Sequence, residues 1–102
     1  MALKLKPDPT FKAQVAIPLH GGGETKVEFD FQHRTRDELE AWLKAGADRD
    51  DVDAVLEAAR GWELVEPFDR ENVSELVQNY IGAARAVVDT YVRELSQARL
   101  GN

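Results

Sequence analysis

The apolar residues of this chain change period once, and that change restricts the fold more than any other feature. From Phe11 to His33 they alternate. Phe11, Ala13, Val15 and Ile17 share one face against Lys12, Gln14 and Ala16, and Val27, Phe29, Phe31 and His33 share one face against Lys26, Glu28, Asp30 and Gln32. Alternation of this kind is the pattern of a half-buried strand. Gly21-Gly22-Gly23 between the runs can take positive φ without a Cβ penalty, so the two runs read as one β-hairpin over about 10–33. After Thr35 the spacing becomes three or four, the period of amphipathic helices. A hairpin is marginal alone in water and needs its apolar face covered. The sequence therefore predicts an α+β fold, with an N-terminal β-hairpin packed on a small bundle of about four α-helices.

Pairing arithmetic restricts the register. Partner numbers must have an even sum, because a slip of one residue would turn one strand's apolar face to water. A sum of 44 places Ile17 opposite Val27, Val15 opposite Phe29, Ala13 opposite Phe31 and Phe11 opposite His33, and is the preferred expectation. Sums of 42 and 46 keep the same faces. Thr35-Arg36-Asp37-Glu38 matches a capping box, so a helix is expected over 36–46, with Gly46 as its terminator. A second, over 51–60, buries Val52, Val55, Leu56 and Ala59 and ends at Gly61. Residues 61–68 form an apolar connector that turns Trp62 and Phe68 inward. Asp69 caps the next helix, and a single stripe runs from Val73 through Leu76, Tyr80, Ala84, Val87 and Tyr91 to Leu95. One helix from 70 to 98 would satisfy this spacing. Two helices, 70–80 and 81–97, bent between Tyr80 and Gly82, are favoured because glycine is costly inside a helix, by about 1 kcal/mol. Pro7-Asp8-Pro9 cannot continue a helix, so residues 1–9 read as an extended arm and 10–102 as one domain.

Several chemistries are excluded or disfavoured. There is no cysteine, hence no disulfide, thiol nucleophile or cysteine-ligated metal. His20-Gly21-Gly22-Gly23 has the look of an esterase oxyanion loop, but the only serines, Ser74 and Ser96, lack the flanking glycines of a nucleophile turn. The acidic run Asp48 to Asp53 lacks the glycine of a calcium loop and carries Arg49, so it reads as helix capping. His20 and His33 have no third ligand at metal-site spacing and read as structural. The expectation is a non-enzymatic protein with no cofactor or metal. With 13 Lys+Arg against 19 Asp+Glu, the net charge of −6 speaks against nucleic-acid binding. No apolar run is long enough for a membrane span, and residues 1–7 lack the apolar stretch of a secretory signal.

The order of certain segments carries a family resemblance over about residues 10–102. These are Phe11 to Leu19, the glycine turn, Val27 to Leu39, Gly61-Trp62-Glu63, Glu66-Pro67-Phe68, Asn72-Val73, Tyr80, Gly82-Ala83-Ala84 and the ending Ala98-Arg99-Leu100-Gly101-Asn102. Together they resemble the tail assembly chaperones of long-tailed bacteriophages and prophages. The resemblance implies a protein that binds the tape measure protein and keeps it soluble in the host bacterial cytoplasm, without entering the mature virion. It also implies self-association, and a longer frameshifted form that recruits the tail tube protein. Because this sequence ends at Asn102, it would be the short form. A tape measure segment presents apolar helical faces, so the expected contact residues are Trp62, Phe68, Tyr80, Ile81, Val88, Tyr91, Val92 and Leu95, partly exposed and rimmed by acids. The alternative is an acidic inhibitor or DNA mimic from a mobile element. Against it, Lys26, Arg34, Arg36, Lys44, Arg70, Arg85 and Arg93 are interspersed among the acids.

Overall fold

The computed structural model describes residues 3–96. Strands β1 (Thr10–Pro18) and β2 (Glu24–Gln32) form the expected antiparallel hairpin, and a third strand, β3 (Ala59–Trp62), pairs antiparallel with the far edge of β2. Four α-helices accompany the sheet: α1 (Arg36–Lys44), α2 (Asp51–Ala58), α3 (Arg70–Asn79) and α4 (Ala83–Ser96). Val15, Ile17, Val27, Phe29 and Phe31 point from the hairpin into the core, where they meet Val55 of α2, Val73 of α3 and Val87 and Tyr91 of α4.

The register sums to 42, not 44: Phe11 faces Phe31, Ala13 faces Phe29, and Val15 faces Val27. The glycines account for the shift. Leu19 N–H donates to Gly23 O at 3.1 Å, and Gly22 N–H donates to Leu19 O at 3.2 Å. This closes a turn in which Gly21, with φ 79°, holds the third position, where positive φ is needed. The loop is thus centred on Gly21, whereas a sum of 44 would centre it on Gly22. The observed register also sets Lys12 opposite Asp30 on the outer face, with Nζ and Oδ1 3.9 Å apart, and brings the Phe11 and Phe31 rings to 5.6 Å.

Helix starts follow the expected caps. Thr35 Oγ1 accepts from Glu38 N–H, and Glu38 Oε1 accepts from Thr35 N–H at 2.9 Å. That second bond, to the charged form, holds the Glu38 carboxyl below its ordinary pKa. Asp50 and Asp69 accept from Asp53 and Asn72 N–H in the same manner. Ends differ more. Helix α1 stops at Lys44 and passes into a 3-10 turn, Ala45–Asp48, so Gly46 does not terminate it. The second helix ends at Ala58 rather than 60, because residues 59–62 join β2, and Gly61 lies opposite Asp30 in the sheet. The last two helices are separate, with Tyr80 in extended backbone between them, as the bend at Gly82 requires. Position 97 of the expected last helix, residues 1 and 2 of the arm, and the ending 98–102 lie outside the described residues. Arm residues 3–9 are exposed, with Lys4 paired to Asp8 at 2.7 Å.

Two contacts hold the layers in place. Tyr91 is completely buried; its ring stacks on Phe31 at 5.3 Å and meets Trp42 edge-on at 5.5 Å. Its hydroxyl donates to Gln32 O at 2.8 Å and accepts from Arg34 Nη1 at 2.9 Å. Burial pushes the Tyr91 phenol above its ordinary pKa, and the Arg34 bond only partly opposes this. At the other end, the hairpin tip reaches the α3–α4 bend. A Cβ added at Gly82 would lie 3.0 Å from Pro18 Cγ.

Tyr91→Phe is expected to cost ~1–2 kcal/mol in urea unfolding, since it strands a buried carbonyl. The phenol's raised pKa favours the fold below pH ~10. That contribution disappears as pH rises through the folded-state value. The Tyr91→Phe chain should therefore show a weaker alkaline loss of stability than the parent. Gly82→Val should cost ~1–3 kcal/mol by overpacking against Pro18. Pro18→Ala in the same chain should recover part of it, and an equal cost in both backgrounds would place the strain elsewhere.

Candidate functional site

The eight sequence-predicted contact residues do not form one patch. Because the chain bends at Tyr80–Gly82, the single stripe of the sequence is divided among three hollows and the core. Tyr91 is core and presents no surface, because α4 covers the sheet with that very face. Val92 is half-buried against the same core. Ile81 is 88% exposed and lines a shallow hollow of about 300 Å³ between α2 and α4, together with half-buried Val88 and the charged Asp51, Arg85 and Asp89. Leu95 borders a third hollow beside His33, Thr35 and Leu39. Trp62 and Tyr80 do come together, in a groove of about 370 Å³ between the connector and α3, and Phe68 supports it from behind.

The groove is built from three distant segments. Trp62 ends β3, with its ring edge-on to Phe29 at 5.9 Å and to Phe68 at 5.1 Å. Its indole N–H donates to Glu66 O at 2.7 Å, which folds the connector back across the ring. Glu63 N–H donates to Glu28 O, and Glu28 N–H donates to Glu63 Oε2, fastening the start of the connector to β2. Asn72 Nδ2 donates to Pro67 O at 2.9 Å, fastening its end to the first turn of α3. The opposite wall is Leu76 and Tyr80. His20 from the hairpin tip stacks on Tyr80 at 5.1 Å and donates from Nε2 to Asn79 O at 2.7 Å, satisfying a carbonyl at the end of α3.

The result is an apolar and aromatic floor of Trp62, Leu64, Leu76 and Tyr80, with Glu66 and Glu75 on the rim. Val65, next to it on the connector, is 98% exposed. Such a surface can bury an apolar side chain while amides and carboxylates hold its flanks. It gathers no nucleophile and base. Among the described residues, no group of three or more His, Asp or Glu could hold a metal ion. The acids of the 48–53 run have other work: Asp50 caps α2, and Asp53 binds Arg70 at 2.8 Å, which raises the Arg70 pKa. Sequence reasoning missed Leu64 and Val65, which sit in a connector with no period, and missed the part His20 plays. The pairing of an apolar run with Pro67 was the available signal for a folded-back connector.

Comparison with known proteins gives one finding. A family model described as phage tail assembly chaperone matches residues 1–102, the whole chain. No curated protein and no solved structure matches the chain significantly.

Proposed function

This chain belongs to the phage tail assembly chaperone family, and from that premise we propose that it binds a helical segment of the tape measure protein in the Trp62–Tyr80 groove and keeps that segment soluble. The observation that carries the reading is the groove's composition. Two aromatic rings with polar atoms and two leucines form its floor, and Glu66 and Glu75 its rim. Aromatic residues supply large contact area at low entropic cost and dominate binding energy where they are well packed. Acidic rims favour basic partners and act mainly on the association rate. The groove therefore fits an amphipathic helix with an apolar anchor and flanking lysines or arginines.

The rest of the reading follows the family. The protein acts without catalysis in the host cytoplasm, self-associates, and through a longer form recruits the tail tube protein. No helix among the described residues is long and apolar enough to cross a membrane.

Co-purification and titration with tape measure fragments test the groove. Trp62→Ala is expected to weaken binding at least ~tenfold while circular dichroism stays native. Glu66→Lys with Glu75→Lys should slow association, with an effect that shrinks as salt is added. Unchanged binding by folded Trp62→Ala and Leu76→Glu chains would place the partner elsewhere. Tyr91→Asp is not a test of binding, since it puts a charge in the core and should unfold the chain.

A further inference from the structure

Strand β1 is the edge of the sheet, and the parity of the hairpin bonds settles which of its backbone groups face outward. Leu19 N–H bonds Gly23 O, and His33 N–H bonds Pro9 O, so the odd-numbered residues of β1 are the ones bonded to β2. Glu63 N–H donating to Glu28 O confirms the converse, that even-numbered β2 residues turn toward β3. On β1, Lys12, Gln14 and Ala16 therefore direct their N–H and C=O groups to the free side, where no strand pairs among the described residues. The ladder from Thr10 to Pro18 has no bulge, and proline enters it only at the last position. Lys12 is its one charge. An edge this regular is open to an added strand.

Helix α4 runs beside that edge and leaves a groove of about 420 Å³, lined by Gln14, Ala16, Lys26, Ala86, Thr90 and Arg93. Ala86 and Thr90 are small, the first half-buried and the second buried. Lys26 makes no ion pair among the described residues, and the Arg93 guanidinium bonds a hydroxyl, Thr90 Oγ1, at 3.4 Å. The one acid at this groove, Asp89, is paired with Arg85 at 3.6 Å. A chain of net charge −6 thus sets Lys26 and Arg93 beside an unpaired strand edge.

We propose that the β1 edge takes up an extended, acidic segment of a partner protein as an added strand in the groove beside α4. The row of unpaired amides selects an extended backbone over a helix. The small residues of α4 select small or apolar side chains on the inward positions, and Lys26 and Arg93 select carboxylates on the others. A second copy of this chain fits less well, because β1 itself carries no carboxylate to meet Lys26 and Arg93. The inference is independent of the Trp62–Tyr80 groove and stands or falls separately from it.

The test uses the full chain, labelled for residue-resolved hydrogen exchange, and a capped peptide of alternating valine and glutamate about eight residues long. Binding should slow exchange at the Lys12, Gln14 and Ala16 amides and leave the Phe11, Ala13 and Val15 amides, already bonded to β2, unchanged. Lys26→Glu with Arg93→Glu should weaken binding about tenfold or more. A control peptide with lysine in place of glutamate should not bind. Equal binding of the lysine peptide, protection at other positions, or no binding at millimolar peptide would each overturn the proposal. So would a free chain that is already dimeric, with the Lys12, Gln14 and Ala16 amides protected, because a second copy would then be the occupant. The exchange map of the unaltered chain decides the matter even if the doubly substituted chain does not fold.

Discussion

The buried phenol of Tyr91 joins two halves that could not stand apart. A lone hairpin is marginal in water, and helices of 8 to 14 residues, as these are, form poorly by themselves. The Tyr91 ring closes against Phe31 and Phe11 on the sheet side and against Trp42 on the α1 side, so one residue of α4 touches both halves. Its hydroxyl lets the polar end be buried, because Gln32 O and Arg34 supply a partner for the proton and for the oxygen. Arg34 in turn lies over the Trp42 ring at 4.9 Å, and Arg49 lies over the same ring at 4.3 Å while bonding Trp42 O and Glu57. Trp42 Nε1 also donates to Glu57 Oε1. The clamp on α1 is therefore cationic and aromatic as much as hydrophobic, and Leu43 is left exposed.

What could be read from the chain was whatever is written in local spacing. Alternation gave the hairpin faces, and Thr35, Asp50 and Asp69 marked the helix starts because each cap is a bond across only three residues. Gly82 marked the bend. The register slipped by two because sums of 42 and 44 bury the same side chains, and only the turn around Gly21 separates them. Strand β3 escaped because four residues are too few to show a period, and what makes Ala59–Trp62 a strand is the vacant far edge of β2, residues away in sequence. The Arg34 and Arg49 contacts escaped for the same reason: both residues lie off the helical stripes they secure. The candidate site was half legible. Trp62, Phe68 and Tyr80 were named, but the stripe from Val73 to Leu95 keeps its phase through Gly82 while the helix axis changes direction. Phase in sequence therefore did not become one surface, and Tyr91 fell into the core while Ile81 was left outside.

The groove inherits its shape from that bend. Tyr80 can face Trp62 only because α3 stops there, and α3 stops where His20 accepts the task of bonding the Asn79 carbonyl. Pro18 against Gly82 fixes how near the hairpin tip comes. The glycine-rich tip, which looked in sequence like a bare turn, thus backs the Tyr80 wall of a site formed by residues 62–80. The turn is coupled to the groove through a ring stack and one hydrogen bond.

Net charge, finally, describes neither surface. The Trp62–Tyr80 groove is rimmed by Glu66 and Glu75, while Lys26 and Arg93 stand beside the β1 edge, so the two proposed ligands differ in sign as well as in backbone form. Each would therefore disfavour the other's ligand: a basic helix would meet cations at the edge, and an acidic strand would meet carboxylates at the groove. A partner chain carrying both kinds of segment would be held at two points. The second contact then forms intramolecularly, at an effective concentration set by the length between the segments. In an assembly chaperone, two modest contacts would be given up more readily than one tight one. Each would be surrendered singly, at the fast dissociation rate of a weak contact.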